Sequence, residues 1–89
     1  MNALPLAVEY LGTLLLVLSV LIANNPIVVG LTLAVIIFLI GDISGAHVNP
    51  AVSLAMYMKG SLTVTELLSY IGVQLLGGVS SAYLYSMFL

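Results

Sequence analysis

Cysteine and arginine are absent, and charge of either sign is scarce: the 89 residues include one lysine, three acidic residues and one histidine. Each absence excludes a class of function. Without cysteine there is no disulfide framework, no thiolate metal site and no Cys nucleophile, and the lone His47 cannot fill a metal shell. No metal, cofactor or catalytic residue is therefore expected, and the chain reads as something other than an enzyme. A single cation, Lys59, offers no basic surface for phosphate backbones, which sets nucleic acid aside as a partner. What is present is apolar: 63% of the residues are hydrophobic and 4% are charged, against about 45–50% and about 25% in soluble domains. The chain reads as an integral, multi-pass membrane protein in contact with a lipid bilayer, in a membrane the sequence does not specify. At about 20 residues per crossing, three or at most four spans fit.

The first apolar run, residues 4–23, carries only Glu9 and predicts a spanning helix. Met1-Asn2-Ala3-Leu4-Pro5 lacks the positive region of a secretory signal, so this span is expected to be retained. Asn24-Asn25-Pro26 is a compact breaker. Residues 27–40 form a second apolar run, short for a span by itself. A small-residue segment follows, Gly41, Ser44, Gly45 and Ala46, which suits irregular, closely packed backbone.

Asn49-Pro50 then reads as a helix start. Asparagine is a favoured N-cap, and proline at the next position loses no hydrogen bond. Gly60 marks the end, with Lys59 at the negative end of the helix dipole. The intervening nine residues, Pro50 to Met58, span roughly 13 Å, about half of a ~30 Å hydrocarbon core. Residues 41–60 thus read as a re-entrant loop and half-helix, the other reading being a loop and an interfacial amphipathic helix. A re-entrant loop requires a protein or water-filled surrounding, because lipid cannot satisfy exposed backbone groups. The free N–H groups and dipole at its tip would disfavour cations.

Thr63-Val64-Thr65-Glu66 is a capping box that opens a last helix over residues 63–89. Its Gly77/Ser81 and Gly78/Ala82 pairs have the small-xxx-small spacing that lets membrane helices approach closely. Tyr57, Tyr70, Tyr83 and Tyr85 read as interfacial or packing residues, and Thr32 and Ser53 as polar groups in helix packing. Asp42 reads as juxtamembrane and solvated. The fold class is all-α membrane: three spanning helices and one half-helix.

The run Ser44-Gly45-Ala46-His47-Val48-Asn49-Pro50-Ala51-Val52-Ser53 resembles the first Asn-Pro-Ala signature of the aquaporin and glycerol-channel family, the major intrinsic proteins. Glu9-Tyr10-Leu11-Gly12-Thr13 and Tyr70-Ile71-Gly72-Val73-Gln74-Leu75-Leu76-Gly77 are similar to its first- and third-helix motifs, in the same order. The likeness is to the N-terminal half of a member, which carries two such halves inverted in the membrane. By that resemblance Asn49, Pro50 and Ala51 form the pore signature, the Asn49 amide donating to a passing solute. Glu9 holds the loop backbone, an interfacial carboxylate being the other reading. Gln74 supports a loop or makes a plain interhelical hydrogen bond. His47 lies at a pore mouth, as a satisfied loop histidine in preference to a proton relay. Val29 and Val52 occupy positions where members carry constriction residues, and no arginine exists here to supply the family's polar filter.

One lysine on one face against none on the other is a weak orientation signal. The expectation is a dual-topology homodimer, one inverted repeat completed by a second copy, with four such pairs by analogy with the family's four-pore assemblies. Its function would be passive passage of water or small neutral solutes. The alternative is a non-conducting interaction subunit, or a half that pairs with another aquaporin-like chain.

Overall fold

The computed structural model describes residues 2–89 and consists of four α-helices: α1 (Ala3–Ile22), α2 (Pro26–Ser44), α3 (Pro50–Met58) and α4 (Val64–Phe88). Three of them, α1, α2 and α4, are long and apolar enough to cross a membrane. Every helix begins on a polar cap. Asn2 Oδ1 accepts the Leu4 N–H; Asn25 Oδ1 accepts those of Ile27 and Val28, with Pro26 at the first helical position. Thr63 Oγ1 accepts the Glu66 N–H while Glu66 Oε1 accepts the Thr63 N–H, closing the capping box at 3.1 and 2.9 Å.

The second span is longer than the sequence suggested. Gly41-Asp42-Ile43-Ser44 continue α2 where residues 27–40 had marked its extent, and the left-handed turn comes only at Gly45, with φ 88°. The glycine at position 41 costs about 1 kcal/mol of helix propensity, but leaving the helix early would strand backbone groups in an apolar phase at several times that cost. Asp42 therefore sits in the last helical turn, exposed.

α1 and α4 run parallel and form the main seam. Glu9, Gly12 and Thr13 on α1 are buried, as are Leu67, Tyr70, Gln74, Gly77 and Ser81 on α4, a 3-4-3-4 spacing that keeps one stripe against a neighbour. The seam is built from small and polar groups, as suits a phase in which apolar burial drives no helix association. A Cβ on Gly77 would lie 2.7 Å from the Tyr10 carbonyl oxygen. Ser81 donates to the Leu14 carbonyl at 2.5 Å, and the Tyr10 hydroxyl to Ser80 Oγ at 2.7 Å. Gly77 and Ser81 thus pack. Gly78 and Ala82 do not: no atom lies within 4 Å of a Cβ built on Gly78, and Ala82 is exposed. Successive residues are rotated 100° around the helix, so the two pairs cannot serve one neighbour. Thr32 likewise makes no interhelical bond; its hydroxyl returns to the Val28 carbonyl within α2.

α2 packs on the other side of α1, and α3 on α4. α2 reaches α4 at its C-terminal end, where the Tyr70 hydroxyl donates to the Ser44 carbonyl, and is otherwise apart from α3 and α4 among the described residues, so the chain is an open arc, α2–α1–α4–α3, with the loop 45–49 running back inside it.

Candidate functional site

The loop between α2 and α3 adopts backbone that its residue types resist. Gly45, Ala46 and Val48 have φ of 88°, 50° and 45°. For β-branched Val48 this is a genuine outlier, of a kind that costs about 1–3 kcal/mol and persists only where its surroundings impose it. Those surroundings converge on Glu9, which has no exposed surface. Its Oε2 accepts Ser44 Oγ–H at 2.6 Å and the His47 N–H at 2.9 Å; its Oε1 accepts the Val48 N–H at 2.8 Å and Gln74 Nε2–H at 3.0 Å. Four donors saturate one acceptor-only carboxylate, which is how its charge is accommodated with no cation nearby. Ser44 Oγ also accepts the Ala46 N–H at 3.1 Å. Packing adds to the hydrogen bonds: Val48, 2% exposed, fills the space left by Gly12, where a Cβ would lie 2.7 Å from Val48 Cγ1.

Three residues whose part in the site the sequence did not disclose complete it. Tyr70 donates its hydroxyl to the Ser44 carbonyl at 2.8 Å, and its ring lies 5.0 Å from that of His47, tilted by 49°. Ser53, fully buried on α3, receives Gln74 Nε2–H at 2.8 Å and meets His47 Nδ1 at 2.9 Å. Tyr70 is therefore neither an interfacial nor a plain packing residue, and Ser53 is more than a polar group between helices. The available signal was spacing: Tyr70, Gln74, Gly77 and Ser81 share one face of α4, and Ser44 and Ser53 flank the loop.

The loop's amide groups at 46, 47 and 48 are thus spent inward. Its carbonyls at 45, 46, 47 and 48 accept no hydrogen bond among the described residues. Asn49 then caps α3, its Oδ1 accepting the Ala51 N–H at 2.8 Å, which leaves Nδ2 with no partner among those residues. Asn49, Ala51 and Val52 are exposed and Pro50 half-exposed. The tip lies deep: Glu9 is six residues into α1 and Gln74 ten into α4, about 9 and 15 Å along their axes.

Not every candidate residue gathers here. Val29 lies half-buried near the start of α2, about 22 Å of helix from Ser44, so one chain does not bring it to the loop. His47, by contrast, is part of the site, with 7% of its surface exposed. Among the described residues no three His, Cys, Asp or Glu side chains cluster to hold a metal. The arrangement offers a donor and a row of acceptors.

Comparison with known proteins places this geometry. The family model for Major intrinsic protein matches residues 18–89. Aquaporin-8 of Rattus norvegicus is 42% identical over 92 aligned positions, covering 90% of this chain and 35% of that protein. Aquaporin Z of Photorhabdus laumondii is 33% identical over 92, covering 86% and 40%. Lens fiber major intrinsic protein of Rattus norvegicus is 47% identical over 58, covering 64% and 22%. The chain spans between about a fifth and two fifths of the length of these relatives, and no solved structure matches it. Four helices, three of them candidate spans, are consistent with half of the family's fold, and with the match over most of its length this membrane-embedded chain belongs to the major intrinsic protein family.

Proposed function

We propose that this chain is one inverted half of a passive channel for water and small neutral solutes, and that the second half is another copy in the opposite orientation. The observation that carries the reading is the loop itself. Four carbonyls with no hydrogen bond among the described residues, and the amino end of α3, would lie at membrane depth, where lipid cannot satisfy them. A facing copy and a file of water can. Two half-helix tips meeting at the midplane would present two Asn49 amides to a solute and turn two positive dipole ends against cations.

Charge placement supports the orientation. Lys59 and Glu66 lie where α3 ends and α4 begins, and the segments at the other ends of the spans, residues 20–30 and 75–89, hold no Asp, Glu, Lys, Arg or His. One lysine against none leaves insertion nearly free to go either way, the condition for an inverted homodimer. Each mouth would then combine Val29 of one copy with Val52 of the other. An apolar mouth without arginine favours small neutral solutes over strict water selectivity.

Osmotic swelling of liposomes containing this chain alone tests the reading. Asn49→Asp places a charge at the junction, and Ala51→Trp fills it. Both are expected to lower the permeability of parent vesicles to that of protein-free ones. Variants that conduct like the parent would remove the junction from the pathway.

A further inference from the structure

The turn between the first two spans carries a polar group that the fold both fixes and leaves open. Among residues 20–30 only Asn24 and Asn25 have polar side chains, and both are exposed. Asn25 is the cap of α2: its Oδ1 accepts the Ile27 N–H at 2.9 Å and the Val28 N–H at 3.2 Å. Two backbone donors require an acceptor, so the carboxamide has one orientation and its NH₂ is the end left over. Neither hydrogen of that NH₂ has a partner among the described residues. Serine, threonine or aspartate would cap the helix as well. What asparagine adds is the donor.

That donor opens beside Val29. The Asn25 carbonyl accepts the Val29 N–H at 2.9 Å, which places the two residues one turn apart on the same side of α2. With Val20, Asn24 and Pro26 they line a hollow of about 280 Å³. At about 30 Å³ per water, it has room for several waters or one small solute.

We infer that the Asn25 carboxamide is a fixed hydrogen-bond donor at each mouth of the channel, selecting small neutral solutes that present a carbonyl or hydroxyl oxygen. The inference rests on the channel reading above, and it adds a polar group to a mouth that Val29 and Val52 alone would leave apolar. A solute entering the mouth sheds part of its hydration shell, and a donor already held in place replaces one of those hydrogen bonds with little ordering cost. Because Oδ1 is spent on the cap, this side chain gives hydrogen bonds and accepts no others. It cannot replace the shell of a cation.

Urea, glycerol and water permeabilities of liposomes holding the full chain, with thermal unfolding of the same variants in detergent, test the assignment. Asn25→Ser keeps a cap and removes the donor. Its unfolding midpoint should match the parent's, while urea and glycerol permeabilities should fall about two- to ten-fold, the range one net hydrogen bond spans. Water, which keeps bonds to its neighbours in a file, should slow less, so the urea-to-water ratio falls. Asn25→Asp, an equally good cap with an oxygen in place of the NH₂, should lower urea permeability at least as far. Asn25→Ala loses cap and donor and should lower the midpoint as well as the ratio. A conducting parent whose urea-to-water ratio is unchanged in Asn25→Ser and Asn25→Asp would overturn the donor role, leaving Asn25 a cap alone and the channel reading intact. A parent no more permeable than protein-free vesicles would refute the channel reading and this donor with it.

Discussion

Glu9→Leu is expected to destabilise the chain by about 3–5 kcal/mol and to abolish any solute flux. The cost follows from what the carboxylate holds. Removing it leaves the His47 and Val48 N–H groups, the Ser44 hydroxyl and one hydrogen of Gln74 without acceptors, and withdraws the restraint on a left-handed Val48. The costs are not additive, because the loop can relax once released. Glu9→Gln should fall between Leu and the parent. Its amide oxygen keeps two donors, and the Gln74 amide can turn its unpartnered Oε1 toward the new NH₂, leaving one backbone N–H unpaired. Thermal unfolding in detergent gives the order, parent above Gln above Leu. Hydrogen exchange at His47 and Val48 should rise by the same order while that of α2 changes less. Equal stability of all three would mean that Glu9 does not hold the loop.

The second large effect belongs to Gly77. Its missing Cβ allows α1 and α4 to touch, and any side chain there meets the Tyr10 carbonyl at 2.7 Å and the Leu14 nitrogen at 3.2 Å, backbone atoms that cannot swing aside. Gly77→Val should cost about 3 kcal/mol, at the upper end of overpacking, because the helices must part and stretch the Ser81 and Tyr10 hydrogen bonds with them. The seam also carries Gln74, so the displacement reaches the loop. Gly78→Ala, one residue on, is the control. It faces open space, and its expected effect is neutral or a gain of up to ~1 kcal/mol in helix propensity. Equal losses at the two positions would contradict the packing described.

The contrast between Gly77 and Gly78 shows where sequence reading reaches its limit. Spacing alone qualified both pairs, and only the position of α1 selects one. Local signals were the legible ones: Asn49-Pro50 and Gly60 bracket α3, and Thr63 with Glu66 opens α4, because caps act within one turn. The end of α2 was not legible. Gly41 and Ser44 weigh against helix by propensity, and an apolar phase overrides that preference. The roles of Ser44, Ser53 and Tyr70 depend on contacts between residues 21 to 35 positions apart, which no local pattern encodes. Nor does any residue type announce a left-handed Val48. That conformation is imposed by a carboxylate 39 positions away.

The central claim is that two half-helix tips from oppositely oriented copies meet. The chain has no cysteine, which makes single-cysteine cross-linking a direct probe. Ala51, exposed in the first turn of α3, should lie beside its counterpart at the midplane, whereas Met58, 78% exposed at the other end, should lie at opposite faces in the two copies. On oxidation in membranes holding this chain alone, Ala51→Cys is predicted to form a disulfide-linked dimer and Met58→Cys to remain monomeric. A dimer from Met58→Cys with none from Ala51→Cys would mean that the copies lie side by side in one orientation, and the proposed pore would not exist.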